Sequence, residues 1–168
     1  MIVALIAASL TWSDQPQAVV RPGAPEDSAA AVAALAPNIP PAGGDWRVLQ
    51  STSEGATAID VANIDEQGSL RTVWIAVAGW APAGPPGSYA LSRLELDCAA
   101  GTARPLWFAI RAPGGDLIYG FQPSGEPEAY DANSGGASIA ATACHGEVLD
   151  GPGFPTHQAF AASVPTAP

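Results

Sequence analysis

The stretch SRLELDC at 92–98 constrains the fold of this chain more than any other segment. Its apolar residues Leu94 and Leu96 alternate with the charged residues Arg93 and Glu95. Alternation with a period of two predicts a strand with one buried face and one solvated face. The stretch ends on Cys98, one of only 2 cysteines, so the strand also predicts where a covalent cross-link meets the core.

Cys98 and Cys144 are far apart in the sequence, so they do not form a close C-x-x-C pair of the kind that binds zinc. We therefore predict a Cys98–Cys144 disulfide, with two buried free thiols as the alternative. Closing a loop of 46 residues would stabilise the fold by about 4 kcal/mol in the chain-entropy model. A disulfide would imply an oxidising compartment.

The apolar run at 1–10 is too short for a membrane-spanning helix and has the length of a signal-peptide core. No lysine or arginine precedes it, so either the true start lies upstream or the signal is weak. A buried amino-terminal strand is the alternative. We expect a signal peptide at 1–15 and an exported protein, periplasmic or extracellular, with no membrane span in the mature chain.

Proline and glycine mark out the other regions of the chain. Residues 16–44 are rich in proline and alanine and are predicted to be a linker. Residues 45–146 are predicted to be the folded domain. Residues 147–168 contain four prolines and are predicted to be a disordered tail.

The domain is predicted to be α+β. Strand patterns occur at 46–51, 57–61, 70–80, 89–98, 104–111 and 116–121. Short strands at hairpin spacing predict an antiparallel meander of about six strands. The segment 134–144 follows a turn signal and predicts a short helix, with Ala137, Ala140, Ala141 and Cys144 on one face.

The charge balance argues against a nucleic-acid partner. The chain carries 16 acidic and 6 basic residues, a formal net charge of −10, and has no lysine. Such a surface repels phosphate backbones and anionic lipid head groups.

Histidine offers no convincing catalytic group in this sequence. Cys144 and His145 are adjacent, and adjacent residues point apart on a helix or a strand. His157 lies in the proline-rich tail, where we expect no positioned base.

Two groups of acidic residues are candidate metal or catalytic sites. Asp60, Asp65 and Glu66 lack the spacing of a calcium-binding loop. Glu95 and Asp97 would lie about 7 Å apart on one strand face, a separation that acid and base carboxylates can use, but the charged neighbour beside them indicates a solvated face. The chain contains no nucleotide-binding or hydrolase motif. We predict no enzyme, no catalytic residue, no metal and no cofactor.

Aromatic residues on the predicted strands could form a binding face, although such rings more often pack in a core. Phe108 lies among them. The candidate binding face consists of Trp74, Trp80, Tyr89, Trp107 and Tyr119.

Taken together, these positions resemble the surface-adhesin protein E family of bacterial envelope proteins over roughly residues 45–146. The residues that carry the resemblance are Trp46, Ile59, Asp60, Ile64, Gly68, Trp74, Glu95, Asp97, Cys98 and Cys144. The resemblance implies an antiparallel sheet with a carboxy-terminal helix tied to it by a disulfide, in an exported protein. The family's best-known member is a surface lipoprotein that binds host matrix proteins and can dimerise.

We therefore predict a non-enzymatic exported envelope protein that makes protein–protein contacts, with an unknown protein partner and a homodimer as one arrangement. The alternative is a periplasmic protein that binds a small ligand or a cell-wall fragment on its aromatic sheet face. A concave apolar pocket would favour the alternative, and a flat exposed apolar patch or a paired edge strand would favour the first hypothesis.

Overall fold

In the computed structural model, which describes residues 39–79, 85–132 and 134–165, the chain forms an antiparallel sheet with one helix on each face. The strands are β1 (Trp46–Ser51), β2 (Ala56–Asp60), β3 (Asp65–Gln67), β4 (Leu70–Ala78), β5 (Tyr89–Asp97), β6 (Thr102–Arg111), β7 (Leu117–Phe121) and β8 (Glu128–Ala129). The helices are α1 (Gly135–His145) and α2 (His157–Ser163). The predicted signal peptide and most of the predicted linker lie outside the described residues.

The sheet is a meander in the order β1-β2-β4-β5-β6-β7, with β3 paired to β4 and β8 paired to β6. The prediction of an α+β fold with about six antiparallel strands is confirmed. Residues 65–67 form strand β3, and a turn follows at Gly68 with φ 63°. A positive φ of this kind is accessible to glycine at little cost.

The alternation of side chains in β5 is confirmed, but the face predicted to be solvated is partly buried. Leu94 and Leu96 pack with the cluster that α1 covers. Arg93 lies on the opposite face, with its guanidinium carbon 5.8 Å from the centroid of the Trp74 ring. The strand therefore contributes to packing on both sides of the sheet.

A bulge lets β6 accommodate a proline inside the sheet. Arg93 pairs with Trp107 and Leu94 pairs with Pro105, which leaves Leu106 as an extra residue. Proline cannot donate a ladder hydrogen bond, and a bulge is one of the few positions in a sheet that tolerates this loss.

Helix α1 lies in the segment predicted to be helical, begins after a serine cap and ends at a glycine. The Ser134 side chain accepts a hydrogen bond from the backbone N–H of Ala137, and Gly146 ends the helix with φ 67°. The buried face is formed by Ile139, Ala140, Thr142 and Ala143. Ala137 and Ala141, predicted to share the sheet-facing side, instead line a surface groove, because the larger Ile139 side chain turns its own face inward.

The predicted disulfide is confirmed. Cys98 follows β5, Cys144 lies in the last turn of α1, and their sulfurs are bonded across a separation of 46 residues. The bond fixes the carboxy-terminal end of α1 to the sheet.

The prediction of a disordered tail after residue 146 is wrong for the part that the structure describes. Trp46 and Phe154 exchange two backbone hydrogen bonds of 2.9 and 3.0 Å, which extend the outer edge of β1. Thr156 then caps α2, whose Phe160 is fully buried. Proline-rich composition predicted disorder, but the edge pairing and the packing of Phe154, Phe160, Ala161 and Val164 hold the segment on the sheet.

The sheet face under α2 combines large aromatic rings with alanines. Trp46, Trp74, Tyr89, Trp107 and Phe160 form one buried cluster. Alanines occupy neighbouring strand positions, including 58, 76 and 109, and all three are fully buried. Small side chains on the sheet leave the space that the rings fill, so the two sets together reach the close packing of a core.

Replacing both cysteines by alanine should lower the free energy of unfolding by about 4 kcal/mol, because the bond closes a 46-residue loop. Urea unfolding of the Cys98→Ala/Cys144→Ala protein beside the wild type measures this loss. The intact wild-type mass under non-reducing conditions should be about 2 Da below the dithiol mass. A dithiol mass, or equal unfolding energies, would contradict the prediction.

Candidate functional site

The structure does not gather the predicted aromatic binding face on one exposed surface. Trp74, Tyr89 and Trp107 are 5%, 0% and 4% exposed and pack beneath α2. Trp80 lies outside the described residues. The three buried rings are core residues, so the prediction is corrected for them.

Tyr119 lies on the opposite face of the sheet. It pairs with Ile110 of β6. The centroid of the Phe121 ring lies 5.5 Å from that of the Tyr119 ring and 5.5 Å from that of the Phe108 ring. The side chains of these three aromatic residues are half-buried. A bulge at Ile118 explains the placement, because it lets Leu117 pack on one face and Tyr119 on the other.

A histidine that sequence reasoning had set aside is buried under the sheet. His157 begins α2 and is 8% exposed. Its Nδ1 lies 2.7 Å from the hydroxyl oxygen of Tyr89, and its ring meets that of Trp46 edge to face at 5.6 Å. The sequence signal was Thr156 followed by apolar residues three and four positions after the histidine, a capped helix with one buried face.

This pair is neutral at physiological pH. Burial lowers the pKa of His157 to about 4, with a smaller contribution from the nearby charge of Arg111. Burial raises the pKa of Tyr89 to about 12, while Arg111 opposes that rise. The Tyr89 hydroxyl is buried and has no other described acceptor, so it donates to Nδ1, and the ring proton of His157 is on Nε2.

A cavity of about 240 Å³ opens beside this pair. Its lining consists of Ile39, Pro40, Pro41, Ala42, Arg111, Thr156, His157 and Gln158. Arg111 at the end of β6 donates from Nη1 to the carbonyl oxygen of Gly115 at 2.7 Å. The cavity thus combines one cation, a neutral imidazole and an apolar wall.

The two carboxylates of β5 have structural partners. Arg104 on the neighbouring strand donates from Nε to Glu95 at 2.7 Å. Asp97 accepts the backbone N–H groups of Ala99 and Ala100, and hydrogen bonds from Ala100 and Ser69 lower its pKa. They stabilise the sheet and the following turn, on a face that is partly buried and not fully solvated as predicted.

The carboxylates around β3 also serve the fold. Asp60 is fully buried and accepts from the backbone of Asp45 and Ala62 and from the side chain of Asn63. Exposed Glu66 pairs with a strand arginine at 3.3 Å. Within the described ranges, no group of three or more acidic, histidine or cysteine residues could hold a metal ion.

His145 is exposed at the end of α1, while Cys144 is in the disulfide, so the two form no catalytic pair. None of the helices that the structure describes is long and apolar enough to cross a membrane.

The two edges of the sheet differ. The first residue of β1 is covered by its pairing with Phe154. In the part of the chain that the structure describes, no strand pairs with the outer side of β7. That strand contains no proline and no charged residue.

The fold is an antiparallel sheet domain in which a disulfide ties a helix to the sheet. The chain belongs to the surface-adhesin protein E family, whose model matches residues 46–145. The match confirms the resemblance seen in the sequence and ends at the last residue of α1, before α2. Searches of curated proteins and of solved structures gave no significant match.

The buried histidine predicts acid sensitivity. Its pKa is about 4 in the folded protein and 6.5 in the unfolded chain, so only the unfolded chain takes up this proton between those values. Protonation of His157 therefore leaves the free energy of unfolding unchanged above pH 6.5. As the pH falls from 6.5 toward 4, it lowers the free energy of unfolding, by at most about 3 kcal/mol.

Urea unfolding at about pH 7.5 and about pH 4.5 measures this effect. The His157→Gln protein should lose less stability on acidification than the wild type. Tyr89→Phe removes the hydrogen bond but keeps the imidazole, so it should keep the pH dependence. Equal losses in the wild type and His157→Gln would show that His157 does not carry the effect.

Proposed function

We propose that this protein is an exported, non-enzymatic envelope protein that binds a partner protein by adding an extended segment of that partner to the edge of β7. Family membership supports an adhesin-like role. The observation that carries the proposal is the outer side of β7, which no described strand covers.

An edge strand directs part of its backbone N–H and C=O groups away from the sheet, ready to pair with another strand. Proteins usually block such edges with charged residues, proline or a covering segment. The sequence of β7, LIYGF, contains neither charge nor proline. The β1 edge, by contrast, carries Arg47 and is partly covered by Phe154. The difference favours β7 as the binding edge.

The side chains of β7 offer apolar and aromatic contacts to an added partner strand. The half-buried ring of Tyr119 lies on one face, next to the ring of Phe121, and Leu117 lies on the other. In strand addition the backbone supplies affinity, and the alternating side chains supply specificity.

Charge favours a different protein over a second copy of this chain as the occupant. Each copy carries a net charge of −10, so two copies repel one another at low ionic strength. A neutral or basic extended segment meets no such repulsion. Self-association is therefore an alternative outcome of the test.

Export is supported by two observations. Disulfides persist mainly in oxidising compartments, and the Cys98–Cys144 bond joins the central sheet to α1. The family is one of surface proteins.

The small-ligand alternative placed its site on the aromatic sheet face. Three of those rings, Trp74, Tyr89 and Trp107, lie beneath α2, so that face does not support a ligand site as it stands.

A lysine on β7 should block binding. Ile118→Lys adds a charge to the proposed edge, and Gln50→Lys adds the same charge to the exposed end of the opposite edge strand. A partner captured from envelope extract by the wild type is identified and purified. Its affinity should fall at least about tenfold for Ile118→Lys and stay unchanged for Gln50→Lys.

Hydrogen exchange on the purified complex locates the contact, since added strand pairing protects the amides of 117–121. Equal affinity of both variants, or protection elsewhere, would reject the β7 edge. A wild-type dimer in light scattering that Ile118→Lys converts to a monomer would replace the partner protein by a second copy.

Cell fractionation tests the compartment separately. The protein should be found outside the cytoplasm with residues 1–15 removed, because the apolar run at 1–10 has the length of a signal-peptide core. Amino-terminal sequencing of the native protein gives the cleavage point. A cytosolic protein that retains Met1 would contradict export while leaving the β7 edge to be judged on its own test.

A further inference from the structure

We propose that the cavity beside α2 binds a small organic carboxylate, with Arg111 holding the carboxylate group and His157 donating to it. Arg111 pairs with Leu117 of β7, but no residue of β7 lines the cavity, and the proposal does not rest on the protein-binding role.

Charge is the first argument. Among the described residues, no carboxylate lies within ion-pair distance of Arg111, although the chain carries 16 acidic residues against 6 basic ones. No aspartate or glutamate lines the cavity. An arginine without an acidic partner in such an acidic chain makes this a cationic cavity, which favours an anion.

The position of the guanidinium is the second argument. Arg111 lines the cavity, and its Nη1 atom is held by the Gly115 carbonyl at 2.7 Å, which fixes the guanidinium in place. A carboxylate is the acceptor whose geometry matches the planar guanidinium.

His157 supplies a second donor to the cavity. Its Nδ1 accepts from the Tyr89 hydroxyl at 2.7 Å, so the ring proton is on Nε2. His157 lines the cavity, so a hydrogen bond from its ring to a ligand there would be made through this N–H, beside the charge of Arg111.

The wall indicates the rest of the ligand. Ile39, Pro40, Pro41 and Ala42 form an apolar side, and Ile39 is 58% exposed, unusually open for a large apolar residue. A ligand with a short apolar part would cover it. The volume of about 240 Å³ is small, since sites for drug-sized ligands start near 300 Å³. A single cation beside an apolar wall favours a monocarboxylate over an inorganic polyanion.

Benzoate and butyrate are suitable probes, with phosphate and methylammonium as comparisons. The chain has only 2 histidines, and His145 is exposed on the other helix. Imidazole NMR signals therefore provide an internal control. Titration of the full-length protein with benzoate should shift the His157 signals saturably and leave those of His145 unchanged.

Arg111→Met should weaken benzoate binding at least about tenfold. The matched control is Arg104→Met on the same strand, which removes the same charge and an ion pair with Glu95 but does not touch the cavity. Ala42→Phe, at an exposed residue of the lining, should also block binding while leaving Arg111 and the fold intact.

Four outcomes would overturn the proposal. One is no saturable shift of His157 with either carboxylate. Another is equal binding by the wild type and Ala42→Phe, which also decides the case if Arg111→Met fails to fold. The third is an equal loss in Arg104→Met, which would indicate general charge attraction. The fourth is phosphate binding as tight as benzoate, which would reject the organic carboxylate.

Discussion

The structure depends on one constraint: the central sheet is apolar on both faces and must be covered twice. Strand β4 shows it most clearly, because Val73 and Ile75 belong to one buried cluster while Trp74 and Ala76 belong to the other. Neither cluster could face water without a large loss of hydrophobic stabilisation. Helix α1 covers the first face and is fixed by a disulfide. Helix α2 covers the second and is held by packing and a short edge pairing.

Much of this architecture could be predicted from the sequence, because the signals for it are local. Alternation placed β5, hairpin spacing gave the meander, and the pattern of 134–144 gave α1. The absence of a close C-x-x-C pair favoured a Cys98–Cys144 disulfide over two free thiols, and the structure confirms the bond.

What failed depended on contacts between distant parts of the chain. The order of α2 comes from Phe160 packing against strands far away in sequence, and the flanking prolines gave the opposite local signal. A bulge also breaks the alternation of side chains, so a period-two pattern assigns the wrong face beyond it. Leu117 and Tyr119 therefore lie on different faces although they are two residues apart. The buried partner of Tyr89 was missed for the same reason, since His157 lies 68 residues away along the chain.

The family match ends at residue 145, just before the segment that covers the second face. Residues 46–145 contain the whole sheet and both cysteines, so the cross-link between β5 and α1 can form whether or not α2 is in place. Without α2, the rings of Trp46, Trp74 and Trp107 would lack their covering helix. A folding intermediate of that kind would expose aromatic surface that a chaperone can bind, and the docking of α2 would end that exposure.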